Sequence, residues 1–370
     1  MSEITANPIV RVGVDLAKRV IQVHGVDSAG KVVTNRALPR DKFLVWCAQL
    51  PAGCVVAMEA CAGSHHWARR LGTLGLTAKI IPTHLVSPYR LQGKGGKNDA
   101  NDAAAICEAA SRPTMHFVPP KSADQQAMLC VHRLREGIKS DRTACINRIR
   151  GLLTEFGVVF AQTVVALREH LDEALEDAAN ALPGLARLCI ERLKTQWQEL
   201  DAHLRWCDER IAAHIKDNRQ AHRALQVMGV GPVTASAVVA TVGDFTQFKN
   251  GAQFGAWLGL TPRQNSSGGK SKLGRITKRG DMYLRMLLIQ AAKSMVLTAK
   301  LRDDPISQWA QKLRERSGWQ KAAVALANKN ARILWAMMTK REAYNARHVS
   351  VQPGLAPLQV AVVATPMQGQ

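Results

Sequence analysis

The sequence predicts a chain of three parts: a mixed α/β domain at the N-terminus, a long helical middle and a mainly helical C-terminal domain. Three observations lead to this prediction. Short apolar runs separated by turn residues fill positions 10–81, long runs of helical periodicity follow at 122–215, and glycine-rich turns interrupt helical segments at 225–340. A chain of 370 residues is long enough for two or three domains, each with its own core.

The charge balance indicates a nucleic-acid partner. The chain has 50 Lys and Arg against 29 Asp and Glu, a formal net charge of +21. An anionic membrane surface or a ribosomal-type adaptor role would also suit this charge. No run of about 18 apolar residues is free of charge, which argues against a membrane span, and residues 1–10 lack a signal-peptide pattern. The eight cysteines are scattered without a Cys-x-x-Cys pair, so we expect reduced, small, buried side chains in a cytoplasmic protein.

The first domain opens with a predicted three-stranded meander. Strands are expected at 10–15, 19–26 and 31–37, with a turn at 27–30. The first strand carries Asp15 in an apolar setting, which is how an RNase H-like sheet begins. An aspartate at the end of a strand is also a common turn former, so Asp15 alone does not decide the fold.

Helices and strands alternate after the meander. A helix is expected at 41–50, a strand at 54–58, a helix at 65–74 and a strand at 77–81, which together predict a mixed sheet covered by helices. Glu59 follows the strand at 54–58, beside apolar neighbours. A carboxylate in that position needs a partner or a metal ion to offset its desolvation.

Two further acids lie three residues apart where the next helix begins. Asp99 and Asp102 share one face of that helix, and the alanine-rich residues 103–110 favour the helical conformation. The basic, glycine-rich residues 91–97 precede them and would let a phosphate backbone come close. The alternative is an acidic first turn that interacts only with the helix dipole.

Asp15, Glu59, Asp99 and Asp102 are therefore the candidate catalytic and metal-binding residues. In an RNase H-like sheet the ends of the elements that carry them converge on one edge. Four carboxylates suit Mg²⁺ or Mn²⁺. Two such ions about 4 Å apart activate an attacking oxygen and stabilise a leaving one, which is phosphodiester chemistry.

The middle part predicts two long helices. The first, at 122–156, has an apolar stripe and a basic face that would follow a phosphate backbone, although a solvated face explains the charges equally well. The stripe comprises Leu134, Ile138, Cys145, Ile149, Leu152 and Phe156, and the basic face comprises Arg133, Arg135, Lys139, Arg142, Arg148 and Arg150. The second, at 182–215, has apolar residues at steps of about 3.5, which predicts a coiled coil. Its seam of Leu193, Trp197, Leu200, Leu204, Ile211 and Ile215 would pack within the chain or against a second protomer.

The C-terminal domain contains a glycine turn and a serine loop. Residues 225–235 resemble a helix-hairpin-helix turn that brings backbone amides to a phosphate, with a simple interhelical turn as the alternative. Ser266 and Ser267 precede two glycines in a basic stretch, where a hydroxyl would reach a phosphorus atom, although such loops are usually flexible connections. The basic residues offered for nucleic acid here are Arg263, Lys270, Lys272, Arg275, Lys278 and Arg279, with Arg285 at the end of the stretch. Helices are expected at 282–298 and 317–340, and the tail at 344–370 is expected to be disordered.

These motifs, in this order, resemble the DEDD transposases of the IS110 insertion-sequence family. The resemblance rests on residues 13–18, 58–61 and 97–103, and then on the glycine turn at 229–232 and the block at 257–280. Residues 64–70 and 106–115 point to the IS1111 branch. The resemblance extends from about residue 10 to 340, and the ordered set is more specific than any single motif. Ala62-Gly63 depart from a Thr-Gly-type turn found in many relatives, which affects that loop and not the acid before it.

The resemblance implies a fold, a chemistry and a set of partners. It implies a RuvC-like DEDD nuclease domain at 8–121, a helical coiled-coil region at 122–219 and a C-terminal transposase domain at 220–343. Its four acids, Asp15, Glu59, Asp99 and Asp102, would hold Mg²⁺, and Ser267 would be the nucleophile, with Ser266 as the fallback. The partners implied are double-stranded donor and target DNA, a noncoding guide RNA and further copies of the chain, as a dimer or a tetramer, in the bacterial cytoplasm at the nucleoid.

Two rival functions remain open from the sequence. One is a metal-dependent nuclease of junctions or RNA–DNA hybrids that uses only the four acids. The other is a nonenzymatic binding protein in which the acids cap a helix.

Overall fold

The computed structural model describes residues 8–90, 98–265, 272–340 and 344–345. The chain divides into two compact units. The first comprises Met1–His222 and Pro232–Lys249, and the second comprises Arg223–Gly231 and Asn250–Gln370. None of the helices in the described ranges combines the length and apolar character that a membrane span requires.

The first unit contains a five-stranded mixed sheet, as the sequence predicts. Its order is β3-β2-β1-β4-β5, in which β1, β2 and β3 form an antiparallel meander and β4 and β5 run parallel to β1. The strands are β1 Arg11–Leu16, β2 Val20–Val26, β3 Val32–Pro39, β4 Val55–Glu59 and β5 Thr77–Ile81. Each predicted strand is present within one or two residues of its expected bounds.

Helices cover both faces of this sheet. They are α1 Phe43–Cys47, α2 Ser64–Gly72, α3 Thr83–Val86 and α4 Asp99–Ala109. On one face Val12, Val14 and Met58 pack with Phe43 of α1 and Leu71 of α2. On the other face the alternate strand positions Ala57 and Ile81 pack with Ala105 and Ile106 of α4. Because successive strand residues point to opposite faces, odd-numbered residues of β1 and β4 face α4.

Three long helices follow in the same unit: α5 Ala123–Thr154, α6 Val164–Glu176 and α7 Gly184–Asp217. Helices α5 and α7 pack antiparallel within the chain, since Cys145 lies near Leu193 while Arg135, earlier in α5, binds Asp208, later in α7. Of the two arrangements left open for the seam of α7, the structure has the one within the chain. Trp197, Ile211 and Ile215 of the seam are buried.

The predicted apolar stripe of α5 is partly wrong. Leu134, Leu152 and Phe156 are 49%, 39% and 38% exposed, whereas Ile146 and Leu153 are buried. The reason is α6, which the sequence analysis does not predict. Leu167, Leu171 and Leu175 of α6 pack against the α5 face that carries Ile146 and Leu153, so the buried face is rotated from the predicted stripe.

A buried polar network joins α5 and α7 to α9, which spans Pro232–Val242. The Oγ of Ser236 lies 2.9 Å from Nε2 of His132 and 2.9 Å from Nδ1 of His214. Burial lowers the pKa of His132 from 6.5 to about 4 and also lowers that of His214. Both imidazoles are therefore neutral at pH 7, and they provide hydrogen-bond partners for the Ser236 hydroxyl that lies between them.

The second unit is mostly helical. The last two residues of helix α8, Arg219–Ala224, belong to its first segment. The later elements are α10 Gly251–Trp257, β6 Pro262–Gln264, β7 Leu273–Ile276, α11 Met282–Thr298, α12 Pro305–Ser317 and α13 Trp319–Lys340. Helix α13 packs against α10, α11 and α12. The predictions of α11 and α13 are correct, whereas α12 is not predicted.

The eight cysteines are all free thiols, and their burial differs from the prediction. Five are buried, while Cys61, Cys130 and Cys189 are exposed.

Candidate active site

The ends of two neighbouring parallel strands carry two of the predicted acids. Val14 of β1 pairs with Met58 of β4, so Asp15 and Glu59 follow at the same edge of the sheet. Both have odd numbers in strands whose odd-numbered residues face α4, so both carboxylates belong to the α4 face.

The other two acids lie in the first turn of α4. The side chain of Asn98 accepts a hydrogen bond from the backbone N–H of Asn101 at 2.8 Å and caps the helix, so that Asp99 is its first residue. Asp102 follows on the same face, with a side chain only 13% exposed. The predicted start of a helix at this acidic pair is confirmed.

Gly13 allows α4 to lie directly on β1. A Cβ atom at this position would lie 2.1 Å from the carbonyl oxygen of Ala103 and 2.8 Å from Cβ of Cys107. Any side chain at residue 13 would therefore push α4 away from the strand. Since Asp15 is two residues after Gly13 and Asp102 is one residue before Ala103, this contact brings their carboxylates together.

Arg90 lies between acids from two different elements. Its Nη2 donates a hydrogen bond to Oε1 of Glu59 at 2.6 Å, and its Nε lies 2.8 Å from Oδ1 of Asp102. The Nε–H is not aligned with that oxygen, so the second contact is an ion pair and not a hydrogen bond. The side chains of Glu59 and Asp102 are 14% and 13% exposed, and that of Arg90 is 32% exposed.

The charges around Asp15 and Glu59 shift the pKa values of these two carboxyls. The pKa of Asp15 is raised by burial and then by the charges of Asp99 and Asp102, and Arg90 opposes this shift. The pKa of Glu59 is raised by burial, lowered by Arg90, and raised by Asp102 and Asp15. All four predicted acids therefore belong to one electrostatic cluster, with Arg90 as its cation.

The chemistry of this cluster fits a hard divalent cation. It offers carboxylate oxygens from four side chains, which are ligands that Mg²⁺ and Mn²⁺ prefer. In the described ranges, no three His, Cys, Asp or Glu side chains are arranged as a coordination shell. The guanidinium of Arg90 is bonded to an oxygen of Glu59 and lies against an oxygen of Asp102.

Sequence reasoning missed Arg90. The available signal was its place in the chain: it lies between β5, which is parallel to β4, and the acidic start of α4. A basic residue in that connection reaches the same edge of the sheet as the acids.

The predicted nucleophile Ser267, its fallback Ser266 and Lys270 lie outside the described residues. The structure describes the two strands on either side of them. β6 and β7 pair antiparallel, and the N–H of Asn265 donates to the carbonyl of Lys272 at 2.9 Å.

The basic residues of this hairpin and the turn that follows it are exposed, with one exception. Arg263, Lys272, Arg275, Lys278 and Arg279 are exposed. Arg285 is only 8% exposed and donates a hydrogen bond from Nη1 to the carbonyl of Leu258 at 3.0 Å. It joins α11 to the residue that follows α10, so it differs from the exposed basic residues before it.

The predicted basic face of α5 divides into two groups. Arg133, Lys139 and Arg148 are exposed. The other three have internal partners: Arg135 and Arg142 bind Asp208 and Asp201 of α7, and Arg150 donates to the carbonyls of Phe160 and Thr163. Arg135 and Arg142 join α5 to α7, and Arg150 joins α5 to the segment before α6. In the first group, Lys139 lies 3.8 Å from a carboxylate oxygen of Glu136 in the same helix.

The glycine turn before α9 has a packing role. Gly229 has φ +81°, and a Cβ there would lie 2.3 Å from Sδ of Met295 in α11. The side chain of Asn330 donates to the carbonyl of Met228 at 3.1 Å. These contacts explain Gly229 without a ligand, so phosphate binding by this turn stays a prediction.

Comparison with known proteins gives two family matches. Residues 221–305 match the "Transposase IS116/IS110/IS902 family", and residues 12–158 match the DEDD transposase domain of IS110 elements. The second match includes all four acids and Arg90.

Individual proteins are similar over most of the chain. A protein of Pseudomonas aeruginosa described as a probable family 20 transposase is 47% identical over 335 residues, which is 90% of this chain and 98% of that protein. The transposase for insertion sequence element IS1111A of Coxiella burnetii is 41% identical over 90% of each chain. The transposase for IS1328 of Yersinia enterocolitica is 35% identical over 90% of this chain and 97% of that protein.

Proposed function

This chain belongs to the IS116/IS110/IS902 family of insertion-sequence transposases, and from this premise we propose that it is an RNA-guided recombinase that cuts and rejoins DNA with an acidic quartet and a serine nucleophile. The chain is a DNA transposase, an enzyme of transposition. The observation that carries the proposal is the meeting of Asp15, Glu59, Asp99 and Asp102 in one electrostatic cluster.

The first domain is RNase H-like, of the RuvC type, under this proposal. Its support is the sheet order β3-β2-β1-β4-β5, with an antiparallel meander followed by parallel strands. The acids at the ends of β1 and β4 and at the start of α4 agree with it. Helices α5 and α7 would be the coiled-coil region.

The quartet would hold Mg²⁺ or Mn²⁺. When bound, such ions would supply Lewis-acid stabilisation of charge on the scissile phosphate. Asp15 and Glu59 would hold the ions from the sheet, and Asp99 and Asp102 would hold them from α4. The partial burial of Asp15, Glu59 and Asp102 reduces their contact with bulk water and strengthens their charge interactions, whereas Asp99 is exposed.

Ser267 would provide the attacking oxygen. Its Oγ would form a bond to phosphorus while one phosphorus–oxygen bond to deoxyribose breaks, and the hydroxyl proton would pass to solvent or a base. A DNA hydroxyl would then attack the same phosphorus and release the serine. The exposed basic residues of β6, β7 and the following turn support this role, because they flank the serines.

Nucleic acid would be held chiefly through phosphates. The candidates are the exposed Arg133, Lys139 and Arg148 of α5 and the exposed Arg263, Lys272, Arg275, Lys278 and Arg279. We propose that a noncoding RNA pairs with donor and target DNA and supplies the choice of sequence. The formal charge of +21 supports partners of this chemistry. The similarity to the IS1111A transposase supports a place in that branch of the family.

A dimer or tetramer is part of the proposal. Leu185 and Leu188 of α7 are 75% and 60% exposed, and Trp206 is 47% exposed. Apolar residues on one long helix support contact with a second copy, in which one protomer's acids would work with another's serine.

The first experiment tests the metal-dependent chemistry. The protein is purified together with its bound RNA, and that RNA is sequenced. The complex is then incubated with DNA complementary to the RNA, with and without Mg²⁺. We expect cleavage that requires Mg²⁺ and is lost in Asp15→Ala and Asp102→Ala, and bound but uncleaved DNA in Glu59→Gln. Asp141→Ala removes an exposed acid of α5 and is the control. Cleavage that survives both quartet variants would refute the proposal.

The second experiment separates the recombinase from a nuclease that uses only the acids. A covalent protein–DNA adduct is expected on denaturing gels for the wild type and for Ser266→Ala, and not for Ser267→Ala. Cleavage without any adduct in all three proteins would favour the nuclease.

A further inference from the structure

Arg90 bridges β4 and α4 by binding Glu59 and Asp102, at 2.6 Å and 2.8 Å. The side chains of these two acids are only 14% and 13% exposed. A positive charge in this place offsets the repulsion among four nearby carboxylates.

The contacts of Arg90 occupy one oxygen of each of two carboxylates that would bind a divalent cation. Oε1 of Glu59 accepts from Nη2, and Oδ1 of Asp102 lies against Nε. A carboxylate oxygen in close contact with a guanidinium is a poorer ligand, because its lone pairs and its charge are shared. A metal ion and Arg90 therefore compete for the same atoms.

The position of Arg90 allows this exchange without unfolding. Its side chain is 32% exposed, so the guanidinium reaches solvent while its partners stay covered. A long, flexible arginine stem can move its head group to another anion nearby, such as a DNA phosphate.

We propose that Arg90 is a positioning residue that acts as the internal counter-ion of the quartet and yields Glu59 and Asp102 to the divalent cation. The inference rests on the metal site of the proposed function. It assigns to Arg90 two effects of opposite sign: it stabilises the fold against repulsion among the acids, and it weakens metal binding by competition.

A merely structural salt bridge predicts something different. If Arg90 only fastened the β5–α4 connection to the sheet, its removal would loosen the acids and weaken metal binding. The sign of the change in metal affinity therefore separates the two roles.

The test uses full-length protein and Mn²⁺ alone, with binding followed by calorimetry and by the electron paramagnetic resonance signal of free Mn²⁺. Arg90→Gln keeps much of the side-chain size and removes the charge. Arg90→Lys keeps the charge and removes the planar guanidinium that reaches two acids at once. Arg70→Gln, an exposed residue of α2, makes the same change in net charge away from the acids. Asp15→Asn, alone and combined with Arg90→Gln, shows whether the Mn²⁺ is bound by the quartet.

We expect Arg90→Gln to bind Mn²⁺ about tenfold more tightly than the wild type, the effect of losing two partly exposed ion pairs. The Mn²⁺ affinity of Arg90→Lys should lie between those of Arg90→Gln and the wild type, and that of Arg70→Gln should match the wild type. In chelator, Arg90→Gln should melt at a lower temperature than the wild type, and Mn²⁺ should raise its melting temperature by more.

Two outcomes overturn the inference, and they differ. If Arg90→Gln binds Mn²⁺ as tightly as the wild type or more weakly, the proposed role of Arg90 is overturned and the metal site stands. Absence of Mn²⁺ binding in the wild type and in Arg90→Gln, with Asp15→Asn no different, would overturn the metal site as well.

Discussion

The contact between Gly13 and α4 gives the sharpest prediction about the catalytic geometry. Gly13→Ala adds one methyl group, which would lie 2.1 Å from the carbonyl of Ala103, where real Cβ contacts are essentially never under 3.0 Å. Helix α4 must therefore move by about 0.9 Å, the difference between these distances. The first turn of that helix carries Asp99 and Asp102, so both carboxylates move relative to Asp15.

The expected cost is larger for activity than for stability. Overpacking of this kind destabilises by about 1–3 kcal/mol, and each kcal/mol lowers the melting temperature by about 2–4 °C in a unit of this size. A displacement of about 1 Å at a reacting centre lowers the rate about 100-fold. At 25 °C the variant should therefore stay folded and cleave DNA about 100 times more slowly.

Two control glycines separate displacement from general crowding. Gly25→Ala in β2 meets the side chain of Thr34 at 2.8 Å, away from the acids, and should lose stability but keep its cleavage rate. Gly72→Ala at the end of α2 meets nothing within 4 Å and should change neither. The measurements are thermal melting and single-turnover cleavage of DNA in Mg²⁺. A Gly13→Ala variant that cleaves at the wild-type rate would refute the reasoning that this contact sets the distance between the acids.

Four further predictions concern charge and burial. Burial and neighbouring acids raise the pKa of Asp15 in the folded protein, so its contribution to stability is lost as pH rises from the pKa of the unfolded chain through that of the folded one. At pH 7 in chelator, Asp15→Asn should therefore have a higher melting temperature than the wild type, and Mn²⁺ should raise that temperature by less. The pKa of His132 is lowered from 6.5 to about 4, so its contribution to stability is present above pH 6.5 and is lost towards pH 4, which denaturant titrations at several pH values would detect. Ser236→Ala should destabilise by about 1–3 kcal/mol in urea unfolding, because it removes the hydroxyl shared by the buried imidazole of His132 and the partly buried one of His214. An unchanged unfolding midpoint would contradict the network. Arg148→Gln should reduce the slope of log affinity for DNA against log salt by about 1, whereas Arg142→Gln should chiefly lower the melting temperature, since Arg142 already binds Asp201.

The acids illustrate how far sequence reasoning reaches at the site. Asp15 and Glu59 end short apolar runs, and Asp99 and Asp102 open an alanine-rich helix, so local pattern and spacing were enough to select them. Their convergence follows from topology, because neighbouring parallel strands end at one edge. That the four share one electrostatic environment is a property of the folded chain.

Arg90 and Arg285 show where sequence reasoning fails. Both are single basic residues in basic surroundings, and nothing local separates Arg90, which pairs with acids, from Arg285, which is buried and donates to a backbone carbonyl. Their partners, Glu59 and Leu258, lie about 30 residues away in the chain. Charge pairing over such separations depends on which elements pack together.

The sequence by itself determined the five strands of the first sheet and most of the long helices, α6 and α12 excepted, because apolar periodicity, capping residues and turn residues act over a few positions. It determined the family for the same reason, since short motifs in a fixed order are local. Only the tertiary structure decided which face of α5 is buried, how closely α4 approaches β1 and which basic side chain, Arg90, binds the acids. These depend on the volume and charge of groups brought together from distant parts of the chain, and no local pattern records them.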